Sequence, residues 1–196
     1  MRYNKKTGWI SDIDHCLSPN HDDRPENMDI NLLVIHGISL PPGQYNGNHI
    51  EQLFTNSLDP EEHPYFMEIC DLKVSTHLLI RRTGELVQFV PLTKRAWHAG
   101  VSKFKTKQCC NDFSIGIELE GCDDEPYEQV QYSRLAELTQ VIQKYWPEID
   151  SDHIVGHCDI APGRKTDPGS AFDWEGYRTL LKKLMNNVGQ DSRSTG

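Results

Sequence analysis

No stretch of this 196-residue chain approaches the ~20 consecutive apolar residues that a membrane-spanning helix requires. The opening segment, Met1 to Ile10, is polar, and no apolar stretch of signal-peptide length follows it. The expectation is a soluble, cytoplasmic protein with no membrane partner. Positive charge is also in short supply: Lys and Arg number 20 against 29 Asp and Glu, a formal net charge of −9. A nucleic-acid partner is thereby disfavoured, because such binding needs a basic surface to replace counterions. Docking on anionic lipid is disfavoured for the same reason. An anionic small substrate is not, since local cations can outweigh the mean field.

Other absences are equally useful. The six cysteines contain no Cys-x-x-Cys pair, so a thiolate zinc site of the usual spacing is missing. Without an export signal, reduced thiols are expected, and the adjacent Cys109 and Cys110 are badly placed for a bridge. There is no Gly-x-Ser-x-Gly elbow, which argues against a serine hydrolase of that type. Cys158 adjoins His157, but neighbours on a strand point apart, so a cysteine nucleophile has no evident partner. Internal repeats and divider-like linkers are lacking too, so one domain is expected over residues 1–188, with a flexible tail at 189–196. An apolar fraction of 37% beside 25% charged residues does not indicate disorder.

What is present reads as a mixture of strands and helices. Leu32-Leu33-Val34-Ile35 suits a strand buried on both faces that ends at His36-Gly37. Residues 49–56 have helical spacing. A strand over Val74 to Ile80, a turn at Thr83-Gly84 and a strand over Glu85 to Val90 form a hairpin pattern. Ser114 to Glu120 alternates, with Ile115, Ile117 and Leu119 on one face and Gly116, Glu118 and Glu120 on the other. Leu135, Leu138, Ile142 and Tyr145 are spaced for a helix that Pro147 stops. A short strand leads to His157, a loop follows from Asp159 to Ser170, and Asp173 can cap a last helix. The fold class expected is α/β with an α+β character: a mixed central sheet flanked by helices.

His36, His157 and Asp167 sit where strands run out. Two histidines and a carboxylate around an open position form a recurring catalytic zinc arrangement. Spacing alone does not establish it here, because nine histidines are present and His-x9-Asp is no generic metal signature.

Five segments together carry more weight: Val34-Ile35-His36 with Ser39-Leu40-Pro41-Pro42-Gly43; Ser75-Thr76-His77; Trp97-His98-Ala99-Gly100; Asn111 through Gly121; and His157 through Asp167. In this order the set resembles the type-2 N-acetylmuramoyl-L-alanine amidases, whose fold is shared by the peptidoglycan-recognition proteins. Within that family it is similar to the cytoplasmic branch that serves cell-wall recycling. The resemblance implies zinc-dependent hydrolysis of the amide between (1,6-anhydro-)N-acetylmuramic acid and L-alanine of a muropeptide, a small-molecule substrate, by a monomer. It implies Zn2+ held by His36, His157 and Asp167, with Glu118 and Lys165 as catalytic groups. Glu120, on the same strand face, is the rival to Glu118. Tyr65, Lys73, His77, Trp97 and His98 are the expected substrate-binding residues, with Arg81 or Arg82 as further candidates for substrate carboxylates. His77 is equally compatible with a buried, hydrogen-bonded role. The family pattern has arginine at the places of Lys73 and Cys109 and often asparagine at that of Gly37. Loss of a ligand would mark a binding module rather than an enzyme; here all three positions are filled. An export signal or a basic surface would mark a wall-cutting exported enzyme.

Overall fold

The computed structural model describes residues 1–191. Its main sheet has strands β1 (Asp14–His15), β2 (Leu32–Ile38), β3 (Leu78–Ile80), β4 (Leu86–Gln88), β5 (Ser114–Glu120) and β6 (Ile154–Gly156). The helices are α1 (His49–Phe54), α2 (Pro64–Ile69), α3 (Gln129–Tyr145), α4 (His157–Ile160) and α5 (Trp174–Asp191). The sheet runs in the order β1-β4-β3-β5-β2-β6. Strands β3, β5, β2 and β6 are parallel neighbours, and β3 and β4 form the antiparallel hairpin. The mixed sheet flanked by helices is the architecture expected from the sequence.

Alternation along β2 and β5 divides the core. Leu33, Ile35, Ile115, Ile117 and Leu119 face α3 and α5, where Leu135, Leu138, Ile142, Tyr177 and Leu181 complete the main apolar cluster. α3 starts on a capping box between Glu128 and Gln131, and Thr139 Oγ1 lies 2.8 Å from Tyr177 Oη where the two helices meet. The opposite face is different. Apolar clusters sit at its two ends, one under α1 and α2 (Leu53, Phe54, Phe66, Leu79) and one around Leu32, Val34 and Phe113. Between them β5 presents a polar stripe of Ser114, Gly116, Glu118 and Glu120, and β2 presents His36.

Several elements differ from the sequence expectation. β2 does not end at His36; its ladder with β5 continues to Ile38↔Glu120, so His36 is a mid-strand residue directly beside Glu118. Ladder length depends on the partner strand, which local composition does not reveal. The strand expected from Val74 begins only at Leu78. Ser75 Oγ donates to the Asn20 carbonyl (2.6 Å) and Thr76 Oγ1 to that of Gly116 (2.9 Å), so side chains take over where ladder bonds would run. α2 was not anticipated, although Pro64 at its first turn is a helix-start signal. His157 opens a short helix, because the Asp159 carboxylate accepts from the Gly156 amide at 2.7 Å. α5 continues through residues 189–191, and the rest of the expected tail, 192–196, lies outside the described residues. Among the described residues no helix is long and apolar enough to cross a membrane.

Candidate active site

His36 projects from the middle of β2 onto the polar stripe, with its ring buried. β6 pairs with β2 at Gly156↔Ile35, which places the next residue, His157, beside His36. Asp167 comes from the following loop. That loop is tied back by the Cys158 amide donating to the Asp167 carbonyl (3.0 Å) and by Tyr127 Oη donating to the Pro168 carbonyl (2.9 Å). Tyr127 reaches Pro168 through a slot that two glycines keep open. A Cβ on Gly37 would lie 2.3 Å from Tyr127 Oη, and one on Gly121 would lie 2.3 Å from its Cε1.

Three donor atoms meet as a result. His36 Nδ1 and His157 Nδ1 are 3.0 Å apart, and Asp167 Oδ2 lies 3.2 and 3.1 Å from them. Among the described residues this is the group whose donors can share one ion. An ion about 2.0–2.1 Å from three tetrahedral ligands separates them by roughly 3.3 Å, so the triangle fits such an ion. The chemistry of the donor set agrees. Burial, opposed by the Asp167 contact, pushes His36 down to about 4, so at neutral pH it carries a lone pair. Burial alone would raise Asp167, but the adjoining His157 and His36 rings outweigh it and hold its carboxyl well below the usual range. His157 Nε2 faces the Ala99 carbonyl at 3.1 Å, an arrangement that leaves Nδ1 bare.

Glu118 borders the triangle, with Oε1 4.0 Å from His36 Nδ1. Its Oε2 is buried without a hydrogen-bond partner. Burial, and secondly Asp167, push its carboxyl well above the ordinary range, while the charge of Lys165 opposes them. Glu120 has no such freedom. Its Oε1 accepts from the Asn46 amide at 2.7 Å, its Oε2 from the Arg82 amide at 3.0 Å, and Arg81 Nη1 is 3.7 Å away. It fastens two loops to the sheet. Of the two glutamates on this strand face, Glu118 is the one with an unpartnered oxygen.

The site lies in a cleft of about 550 Å³. His36, Glu118, His157, Lys165 and Asp167 line its floor. Leu40, Leu53, Phe54, Tyr65, Ile69 and Leu72 make an apolar wall, and Cys122, Asp123 and Arg164 also line the cleft. Of the expected substrate-binding residues, Tyr65, Trp97 and His98 line the cleft. Trp97 is anchored by its indole donating to Asp22 Oδ1 (3.1 Å). His98 is placed differently from expectation. It is part of the floor, with Nδ1 2.8 Å from His36 Nε2 and Nε2 3.0 Å from Ser114 Oγ.

His77 and Lys73 are not among the lining residues. His77 is fully buried behind the floor; Nδ1 accepts from the Gly116 amide (3.0 Å) and Nε2 faces the Lys94 carbonyl (3.0 Å). It pins β5 to the hairpin, the second of its two expected roles. Lys73 is exposed, while its neighbours Leu72 and Val74 contact the cleft. Arg81 is engaged by Glu51 and the Gly47 carbonyl, and Arg82 by Glu128 and the Tyr45 ring. Neither lines the cleft. Arg164, Asp123 and Cys122 were not anticipated. Arg164 adjoins Lys165 in the His157–Asp167 motif, a signal that was available; Asp123 and Cys122 lie in a turn with none.

The sequence profile of the N-acetylmuramoyl-L-alanine amidase family matches residues 26–170. The chain is 54% identical over 176 residues to the 1,6-anhydro-N-acetylmuramyl-L-alanine amidase AmpD of Enterobacter cloacae, covering 90% of this chain and 94% of that protein. A crystal structure of a selenomethionine AmpD derivative superposes with a TM-score of 0.89 at 50% identity, covering 92% of this chain and 99% of the other. The Escherichia coli amidase AmiD in complex with the substrate anhydro-N-acetylmuramic acid-L-Ala-D-gamma-Glu-L-Lys superposes with a TM-score of 0.57 at 28% identity, covering 80% and 60%.

Proposed function

The chain belongs to the N-acetylmuramoyl-L-alanine amidase family, and from that premise we propose that it hydrolyses the amide joining (1,6-anhydro-)N-acetylmuramic acid to L-alanine of a muropeptide, with zinc, in cell-wall recycling. The observation that carries this reading is the triangle of His36, His157 and Asp167 donors beside an unpartnered Glu118 oxygen. AmpD and AmiD, the relatives matched above, bear the names of amidases of this bond.

His36, His157 and Asp167 would hold the ion. Bound there, zinc supplies Lewis acidity, lowering the pKa of water towards ~7 and polarising the scissile carbonyl. Glu118 accepts the proton of the attacking water as its oxygen bonds to the lactyl carbonyl carbon. It then delivers that proton to the alanine nitrogen as the C–N bond breaks. A carboxylate buried without a partner is suited to both roles, because its environment favours the protonated form it adopts between them. Lys165, whose charge is felt at Glu118, faces the carbonyl oxygen and stabilises the negative charge that develops there. The products are a muramic-acid carboxylate and a stem peptide with a free amino terminus.

Recognition falls to the rest of the cleft. Tyr65 and Trp97 offer faces to the sugar and the peptide, and Arg164, anchored through Nη2 to the Ala99 and Val101 carbonyls (2.6 and 2.7 Å), brings positive charge to the cleft. Action as a monomer is part of this reading. The six unpaired cysteines suit the cytoplasm. Incubating the protein with an anhydro-muropeptide, with and without a chelator, tests the reading. Mass spectrometry should find the free stem peptide only without chelator, and restored cleavage on adding zinc. An intact substrate in both arms would end it.

A further inference from the structure

One run of hydrogen bonds leads away from the metal-facing atom of His36, and its far end has a fixed polarity. Ser114 Oγ lies 2.6 Å from the Cys110 carbonyl oxygen. A carbonyl can only accept, so the single hydroxyl proton lies on that bond. The same hydroxyl is 3.0 Å from His98 Nε2, and having no second proton it must accept there. His98 Nε2 therefore carries a hydrogen. No carboxylate is among the hydrogen-bond partners of the fully buried His98 ring, so a charged ring would be unpaired; in the neutral ring Nδ1 is bare. That bare nitrogen is 2.8 Å from His36 Nε2, which must donate to it. The one remaining nitrogen of His36, Nδ1, then has a lone pair, and it faces His157 and Asp167.

We propose that His98, oriented by Ser114, is a positioning residue that fixes the tautomer of His36 before a metal arrives. The inference rests on the metal site proposed above. The competing arrangement reverses every proton: His36 carries Nδ1–H towards Asp167, His98 donates from Nδ1, and Ser114 donates to His98. It leaves two oxygens 2.6 Å apart with no proton between them at Ser114 and Cys110, and it blocks the metal-facing atom of His36. The surroundings hold the ring in place. Its backbone amide and that of Ala99 both donate to Asn111 Oδ1, at 3.2 and 2.8 Å. The ring lies against Gly116, where a Cβ would sit 2.5 Å from His98 Cγ. A serine and a glycine two residues apart on β5 thus serve one imidazole. His157 obtains the same result more simply, through the Ala99 carbonyl.

The test uses the full chain, metal-free and at neutral pH, and reads the His36 ring nitrogens by long-range proton–nitrogen correlation. The wild type should show a bare Nδ1 and a protonated Nε2. Ser114→Ala removes one oxygen without emptying the ring site; it should give a mixture of His36 tautomers and weaker zinc binding in competition with a chelator. His98→Leu should weaken zinc by about 10- to 100-fold, the usual cost of losing a partner behind a ligand. Ser114→Thr, which keeps the hydroxyl, should restore both readouts. Thermal unfolding verifies that each variant folds. A wild-type His36 protonated at Nδ1 would overturn the proposal, as would a folded Ser114→Ala chain with unchanged tautomer and zinc affinity. A wild type with the expected tautomer that takes up no zinc would instead remove the metal reading and leave the tautomer relay standing.

Discussion

The floor of the cleft and its apolar wall are built on different principles. On the floor, His36 and Glu118 stand side by side on a seven-residue parallel ladder, and His36, His157 and Asp167 are each held by a second bond from behind or beside. The wall is built around two six-residue helices, α1 and α2, with partly buried Tyr65 and half-exposed Leu72 beside them. Isolated helices this short are marginal; these persist by burying Ile50, Leu53, Phe54 and Phe66 against β3 and β4. The candidate catalytic groups are therefore mounted on or beside the sheet's longest ladder, and the candidate recognition surface on short helices whose outward residues are free of that ladder.

The largest effect that would sharpen this contrast is at Glu118. Glu118→Gln should lower kcat by about 10²- to 10⁴-fold with zinc retained and the unfolding temperature unchanged or raised, since a neutral amide replaces a poorly solvated carboxylate. Full turnover in that variant would break the contrast at its centre. Acid comes next and attacks the floor from beneath. His77 is buried and neutral, with its pKa lowered to about 3 from 6.5 by burial and then by Arg24. The unfolded chain takes up a proton that the folded chain refuses. Stability should be level above about pH 6.5 and fall below it towards about pH 3, by roughly 1.4 kcal/mol per pH unit for this residue alone. A urea midpoint identical at pH 7 and pH 5 would contradict this.

Smaller again is Glu120→Gln. It keeps the shape but weakens the bonds to Asn46 and Arg82 and removes the charge near Arg81, so about 1–3 kcal/mol of stability should be lost in chemical denaturation while the folded enzyme keeps its turnover. A loss of turnover like that of Glu118→Gln would erase the distinction drawn between the two glutamates. The smallest effect belongs to the wall. Tyr65→Ala should raise KM about three- to tenfold with kcat little changed, as steady-state kinetics would report. A fall in kcat instead would make Tyr65 part of the floor's chemistry.

The same contrast governs what was legible in the sequence. α3 and α5 could be read from their periodicity, and the ligands from long motifs that surround them. Period-two alternation put Glu118 and Glu120 on one face but could not separate them; the partners that tie down Glu120, Asn46 and Arg82, lie in loops far away in the chain. The sequence left His77 open between the cleft and a buried role and placed His98 in the cleft, which it lines; what it could not give were their bonds to Gly116 and Ser114, contacts made only when separate segments pair. α2 was overlooked because it buries Phe66 alone, whereas α1, of the same length, shows Ile50, Leu53 and Phe54 on one side.

The slot between Gly37 and Gly121 has a consequence for how this chain can change. Tyr127 fills it, and its phenol grips the residue after Asp167. Asparagine, the residue the family resemblance suggests at position 37, would bring its first carbon within 2.3 Å of the phenol oxygen, so one of the two must give way. A graft at position 37 with Tyr127 left in place would push on the anchor behind Pro168 and so be felt at Asp167 from a distance.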